Sequence, residues 1–332
     1  AMITKIELKG FKSYVDYTFE LKPLTILTGL NSSGKSSVIQ AIRMMDNMSS
    51  RENGGSHVWN LGLGSDSELI NPNCKNFQIS AWKNHRHEEA WFSYNSSKSR
   101  NKLCPMPSCI YIAADRMGAT STIPIYEDEA LGGRGENVLR RIDHFRDEQL
   151  PELLRGDAEG TTLNYVLRYW LQKISPGVKF DYRIEEKADV SYSLYDNHRS
   201  ANVGYGLSYS LPVIVALLTA TLETESIVLI ENPEAHLHPQ GQAEMARLIC
   251  LCVEAGAQVV VETHSDHLFD GVRIYARESE NHFASKVATF WCQLDDNRNT
   301  QVDRCQIQEN GRLDHWPEHM FDQFLLDSEK LL

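Results

Sequence analysis

The octapeptide Gly29-Leu30-Asn31-Ser32-Ser33-Gly34-Lys35-Ser36 constrains this 332-residue chain more than any other feature. It fits the pattern G-x-x-x-x-G-K-[ST], a loop that cradles phosphate. The apolar run Leu24-Thr25-Ile26-Leu27-Thr28 reads as a buried strand leading into the loop. Ser37-Val38-Ile39-Gln40-Ala41-Ile42-Arg43 reads as a helix leaving it. Glycines at 29 and 34 let backbone N–H groups turn toward phosphate oxygens. The start of the helix adds the positive end of its dipole. Asn31, Ser32, Ser33, Gly34, Lys35, Ser36 and Ser37 are therefore candidate nucleotide-binding residues. Lys35 would reach the β- and γ-phosphates, and the Ser36 hydroxyl would ligate Mg²⁺.

A hydrophobic content of 42% suits a globular chain with a sizeable core. The net charge of −12, from 45 acidic and 33 basic residues, argues against a nucleic-acid coat of positive charge. DNA contact is thus not indicated by net charge. The densest basic stretch, Lys83 to Lys102, also holds Glu88 and Glu89 and reads as a solvated hairpin. Seven cysteines at irregular spacings read as free thiols of a reducing compartment. Cys104 and Cys109 lack a second pair at zinc-finger spacing. The longest apolar segment, Leu211 to Leu222, falls short of the roughly 18 residues that span a bilayer. No charged-then-apolar leader is evident, so a cytoplasmic protein without membrane contact is expected.

Two short strands, Ile3 to Leu8 and Tyr17 to Leu21, flank a turn at Gly10-Phe11-Lys12-Ser13. Residues 50–70 are rich in Gly, Ser and Asn and read as loop. Phe77 to Trp82 and Ala90 to Tyr94 read as a hairpin, and Ile110 to Ala114 as a buried strand ending at Asp115-Arg116. Glu136 to Ile174 is helical, with apolar stripes at Val138, Leu139, Ile142, Phe145 and at Leu163, Val166, Leu167, Trp170, Leu171. Lys179 to Tyr195 alternates as strands do. From Ser208 onward strand and helix alternate, which favours a parallel sheet covered by helices. The expected elements are a helix over 208–223, a strand over 226–230, a helix over 240–254, a strand over 258–262 and a helix from Asp266.

Three further segments carry chemistry. Ile227-Val228-Leu229-Ile230 runs into Glu231-Asn232-Pro233-Glu234, and a strand tip holds a carboxylate beside phosphates without a flexible loop. Glu231 is the candidate for the metal side, with Ser36. Asn202-Val203-Gly204-Tyr205-Gly206-Leu207-Ser208 precedes an apolar helix, with Ser208 as N-cap and Pro212 in the first turn. Val259-Val260-Val261-Glu262-Thr263-His264 is a strand ending in a histidine able to hydrogen-bond a γ-phosphate.

In this order the loop, Gly-Tyr-Gly-Leu-Ser, Glu-Asn-Pro-Glu-Ala-His-Leu-His-Pro and Glu-Thr-His-Ser resemble the ABC-type ATPases of the SMC/RecF/OLD group. The opening Ile-Glu-Leu-Lys-Gly-Phe-Lys-Ser-Tyr is similar to the start of those proteins. Glu-Thr-His-Ser-Asp-His-Leu and Asn-Gly-Arg-Leu…Trp-Pro-Glu-His-Met-Phe-Asp look like a bacterial AAA-type, OLD-like branch. The resemblance implies an α/β P-loop fold: a mixed or parallel sheet, N-terminal antiparallel strands and a small helical lobe. It implies a single domain over 1–332, with a Walker A part (1–115), a helical lobe or insertion (116–200) and a signature, Walker B and switch-histidine part (201–332). Gly29, Gly34, Lys35 and Ser36 match Walker A, and Glu231 matches the Walker B acid. Gly206 and Ser208 match the signature that contacts ATP held by an opposite protomer, and His264 matches the switch histidine. Lys12 and Ser13 lie where such proteins approach the nucleotide, and Asp115-Arg116 is the candidate for the lid position.

Relatives often carry Glu where this chain has Asn232, and an amide cannot take a proton from water as a carboxylate can. Glu234 takes over, or hydrolysis is slow. No coiled-coil arms and no nuclease domain are evident in the sequence. The expected protein binds Mg-ATP, dimerises or forms a higher oligomer, and switches a separate effector such as a nuclease, in DNA maintenance or antiphage defence. The alternative is a nucleotide-sensing module with little or no hydrolysis. A transporter's ATPase subunit is a poorer third reading.

Overall fold

The computed structural model describes residues 2–49, 66–84, 88–95, 98–116, 123–124, 131–176, 180–185, 190–195, 198–199 and 205–332. The first elements are β1 (Ile3–Phe11), β2 (Tyr14–Glu20), β3 (Leu24–Gly29) and α1 (Lys35–Ser49). Then come β4 (Asn76–Lys83), β5 (Glu88–Asn95), β6 (Lys98–Lys102), β7 (Ser108–Ile112) and β8 (Ile123–Pro124). The middle of the chain forms α2 (Val138–Phe145), α3 (Glu152–Arg155), α4 (Leu163–Ile174), β9 (Phe180–Glu185), β10 (Val190–Tyr195) and β11 (His198–Arg199). The last part forms α5 (Tyr205–Ala220), β12 (Ser226–Glu231), α6 (Pro239–Glu254), β13 (Gln258–Thr263), α7 (Asp266–Glu278), β14 (Val287–Leu294), β15 (Thr300–Cys305) and α8 (Gln323–Leu331).

The central sheet has the order β15-β14-β3-β13-β12-β7 and is parallel except for the edge strand β15. Its inner strands β14, β3, β13 and β12 are largely apolar and buried on both faces, as a sheet covered on both sides requires. Successive side chains point to opposite faces. Ile26, Ile230 and Val261 enter one core with α2, α4, α5, α6 and α7. Their neighbours Leu27, Leu229 and Val260 enter a second core with α1 and an antiparallel sheet of order β2-β1-β4-β5-β6. The P-loop strand thus lies in the middle of the molecule, and the loop emerges at the carboxyl edge of the sheet.

Between β7 and α5 the helical stripes behave as their spacing requires: Leu163, Val166, Leu167, Trp170 and Leu171 are all buried. This middle part also holds a small sheet, β11-β10-β8 with β9 paired to β10, so it is more than a helical lobe.

One expectation is corrected. Helix α5 begins at Tyr205, so Ser208 lies in its first turn rather than at its N-cap, and Pro212 sits inside the helix. Proline removes a donor and normally breaks a helix. Here the residues from Leu211 to Ala220 are all buried, and that packing holds the helix together across Pro212. Residues 50–65 of the expected loop, and Gly204 of the glycine-containing segment, lie outside the described residues. The antiparallel pair β14–β15 and helix α8 were not expected from the sequence.

Candidate functional site

The loop is braced by its surroundings at both glycines. A Cβ on Gly29 would lie 2.3 Å from the Cys292 carbonyl oxygen, because β14 runs beside β3 there. Gly34 has φ +90°, and a Cβ on it would lie 2.3 Å from Thr300 Oγ1 and 2.5 Å from Ser13 Oγ. Ser32 is also left-handed, at φ 64°. Ser13 Oγ and Thr300 Oγ1 are 2.6 Å apart, Thr300 donates to the Ser33 carbonyl at 2.8 Å, and Tyr14 donates to the Gly34 carbonyl at 2.9 Å. Ser13 is therefore a support of the loop. Its neighbour Lys12 donates to Gln40 of α1 at 2.7 Å, and burial lowers its pKa. Lys35 is buried and donates to the carbonyls of Gly29 and Leu30 at 3.1 Å each. Burial lowers the Lys35 pKa, opposed by the charges of Glu262 and Glu234.

The carboxyl ends of β12 and β13 supply the acids. Ser36 donates to Glu262 Oε1 at 3.0 Å. Glu262 is 5% exposed, and burial followed by the charge of Glu231 pushes its pKa to about 7. Its second oxygen, Oε2, is buried without a partner. Glu231 faces the other way: Oε1 accepts from Tyr111 at 3.0 Å and Oε2 from the Ala114 N–H at 2.9 Å. The Arg43 guanidinium covers the Tyr111 ring at 3.7 Å. Arg116 is 2% exposed and donates to the Glu231 carbonyl at 2.8 Å and the Asn232 carbonyl at 2.9 Å. Burial brings its pKa down to about 10.

Asn232 takes a left-handed φ of 50°, and its N–H donates to the Glu262 carbonyl at 2.8 Å. Glu234 Oε1 accepts from the His264 N–H at 3.3 Å, and burial raises the Glu234 pKa. Burial, followed by the Lys35 charge, lowers the His264 pKa. His264 also lines a cavity of about 460 Å³ with Leu30, Trp291, His319 and Phe321. Asn232, Glu234, Glu262 and His264 therefore converge beside the loop.

Gly206 and Ser208 open α5, which packs on α4, β7 and β12; their side chains lie outside the described residues. Sequence reasoning passed over Glu262, Tyr111 and Thr300 and gave Arg116 only as a lid candidate. A carboxylate closing the run Val259-Val260-Val261 was the available signal for Glu262. Thr300 comes from the unforeseen β15.

Among the described residues no group of three His, Cys, Asp or Glu side chains forms a metal cluster. The Ser36 hydroxyl and the acids at the strand ends suit Mg²⁺, which is held by one or two carboxylates together with substrate phosphates. The buried Oε2 atoms of Glu262 and Glu234 and Oδ1 of Asn232 have no protein partner, and buried polar atoms normally have one. The crowded glycines keep the loop open to phosphate. The residues fit a Mg-nucleotide.

No curated protein matches the chain. Among solved structures it is similar to an SMC head bound to the C-winged helix domain of ScpA, at TM-score 0.55 and 18% identity, covering 92% of this chain and 99% of that one. The Pyrococcus furiosus SMC head, with an extended coiled coil and bound to the C-terminal domain of ScpA, gives TM-score 0.58 at 14% identity and covers 99% of both chains. The Thermotoga maritima SMC head domain gives 0.51 at 13%, covering 92% and 99%. These likenesses establish the fold, that of the P-loop ABC-type ATPase heads. An AAA ATPase domain model matches residues 2–102, and one described as a protein of unknown function matches 284–331. A third, described as AAA domain, putative AbiEii toxin, Type IV TA system, matches residues 82–270, more than half of the chain, and to that family of AAA-type ATPase domains this protein belongs.

Proposed function

We propose that the protein is a Mg-ATP-binding ABC-type ATPase whose ATP-dependent dimerisation switches a separate effector protein in the cytoplasm. The observation that carries this reading is the convergence of Lys35, Ser36 and Glu262 at the end of the P-loop strand. The loop N–H groups, with Asn31 to Ser33 at its crest, bind phosphate, and Lys35 leaves the Gly29 and Leu30 carbonyls for the β- and γ-oxygens. Ser36 and the acids at the strand ends would hold Mg²⁺, which would supply charge neutralisation at the transferred phosphoryl group. Glu234, raised in pKa and anchored on the His264 N–H, is placed to orient or deprotonate water. His264 faces the γ-phosphate side beside Gly29. Lys35→Ala should abolish ATP binding measured by fluorescent-nucleotide titration, and unchanged binding would sink this reading.

Dimerisation rests on the match of Gly206 and Ser208 to the signature segment, and a protein effector is supported by the ScpA domains that two of the similar SMC heads carry. Gly206 and Ser208 are then the residues offered to ATP on the opposite protomer. The role in DNA maintenance or antiphage defence rests on the resemblance. Among the described residues no helix is long and apolar enough to cross a membrane.

A second reading, a nucleotide sensor with little turnover, is favoured by Asn232, whose amide stands where a base is expected. Steady-state turnover of wild type, Asn232→Glu and Glu234→Gln separates the two. Wild-type turnover lost in Glu234→Gln excludes the sensor. Turnover seen only in Asn232→Glu establishes it.

A further inference from the structure

We infer that Gln242 is a positioning residue for the nucleotide site: its side-chain amide ties the turn that carries Glu234 to the segment that carries His264. This rests on the reading of the loop as a Mg-nucleotide site and concerns its γ-phosphate end.

Glu234 and His264 lie just beyond the ends of β12 and β13, which are parallel neighbours in the sheet. Each strand leads through a short connection into a helix, α6 after β12 and α7 after β13. The two helices pack closely: a Cβ on Gly271 of α7 would lie 2.6 Å from the Ala246 Cβ of α6. Gln242 stands about one turn before Ala246, at the start of α6. Its Nε2 donates to the Leu237 carbonyl at 3.0 Å, and its Oε1 accepts from the Ser265 hydroxyl. Leu237 closes the turn that begins at Glu234, its N–H donating to the Glu234 carbonyl at 3.1 Å. Ser265 directly follows His264 and caps α7, its Oγ accepting from the Leu268 N–H at 3.0 Å.

The chemistry of the partners fixes the direction of each bond. A carbonyl only accepts, so the Leu237 oxygen faces the amide nitrogen and Oε1 is left for Ser265. Ser265 has one hydroxyl proton, and giving it to Oε1 leaves its lone pairs for the Leu268 N–H. Gln242 thereby orients the cap of α7 and, with it, the residue before the cap, His264. At its other end it steadies a turn with two left-handed residues, Asn232 at φ 50° and His236 at φ 63°. Such conformations persist where the surroundings hold them. A longer link joins the same segments, from the His264 N–H to Glu234 Oε1 at 3.3 Å. That link occupies the carboxylate proposed to act on water. The Gln242 bridge uses neither the Glu234 nor the His264 side chain, so it keeps the segments together while both turn to the γ-phosphate.

The test reads nucleotide discrimination and needs no turnover. ADP and a non-hydrolysable ATP analogue, each with Mg²⁺, are titrated against a bound fluorescent nucleotide. Gln242→Ala should weaken the analogue at least about fivefold and leave ADP within about twofold, because the His264 segment meets the γ-phosphate, which ADP lacks. Ser265→Ala should do the same, and the Gln242→Ala, Ser265→Ala double variant should lose no more than either single one, since both remove one contact. Ser265→Thr keeps the hydroxyl and should keep the wild-type preference for the analogue. Equal weakening of ADP and analogue in Gln242→Ala, the mark of a merely structural role, overturns the inference. So does an unchanged preference in Gln242→Ala, a Ser265→Thr protein that behaves as Ser265→Ala, or losses that multiply in the double variant. Failure of the wild type to bind either nucleotide overturns the nucleotide reading itself.

Discussion

Gly34 and Glu262 show how much single residues decide in this molecule. Gly34 combines a left-handed φ with a side-chain position filled by Thr300 and Ser13. Gly34→Ala should cost about 1–3 kcal/mol of stability from backbone strain and crowding, and should abolish nucleotide binding. Denaturant titration and a binding assay check the two halves. Glu262 has a pKa raised from 4.5 to about 7, so folding takes up its proton. The stability linked to that proton is fully present below pH 4.5 and is lost as pH rises through about 7. In chelator, the wild type should lose on the order of 3 kcal/mol between pH 4.5 and 8 from this group. Glu262→Gln should lack that part of the curve, as urea midpoints at the two pH values would show.

At the scale of elements, the end of β7 acts as a clamp on the end of β12. Arg116, arriving just after β7, donates to two successive carbonyls there, one belonging to the left-handed Asn232. Both bonds come from one guanidinium nitrogen, Nη2, and lysine keeps the charge but not the rigid planar group that holds that nitrogen between the two carbonyls. Arg116→Lys should therefore lower kcat for ATP at least tenfold while KM stays within about threefold; a fall confined to KM would show that the clamp does not orient the acids. Most elements were legible because their signal is local. The run from Leu24 to Thr28 is buried on both faces, and the α4 stripe faces the core at the predicted spacing. Helix α5 was misjudged at its start because the burial of Leu211 to Ala220 outweighs Pro212, and burial is a property of the neighbours. Strands β14 and β15 were missed, although Val287 to Cys292 is an apolar run next to the P-loop strand.

For the whole molecule, the question is whether ATP joins two copies through Ser208. Light-scattering mass should double on adding ATP to Glu234→Gln, the variant expected to leave ATP unhydrolysed on the proposed reading, and should stay monomeric in the Glu234→Gln, Ser208→Arg double variant. A double variant that still dimerises removes Ser208 from the interface. The sequence by itself determined the phosphate loop, the α/β alternation and the acidic ends of two strands, because a turn that needs glycine and a strand that needs apolar residues are written locally. It also placed Asn232 where a carboxylate was expected. Only the tertiary structure decided which acid stands beside Ser36. That choice depends on β13 lying between β3 and β12, and on Tyr111, Ala114 and Arg116 holding Glu231. These contacts join residues more than a hundred positions apart, and strand order in a sheet is set by packing across the whole chain rather than by any local pattern.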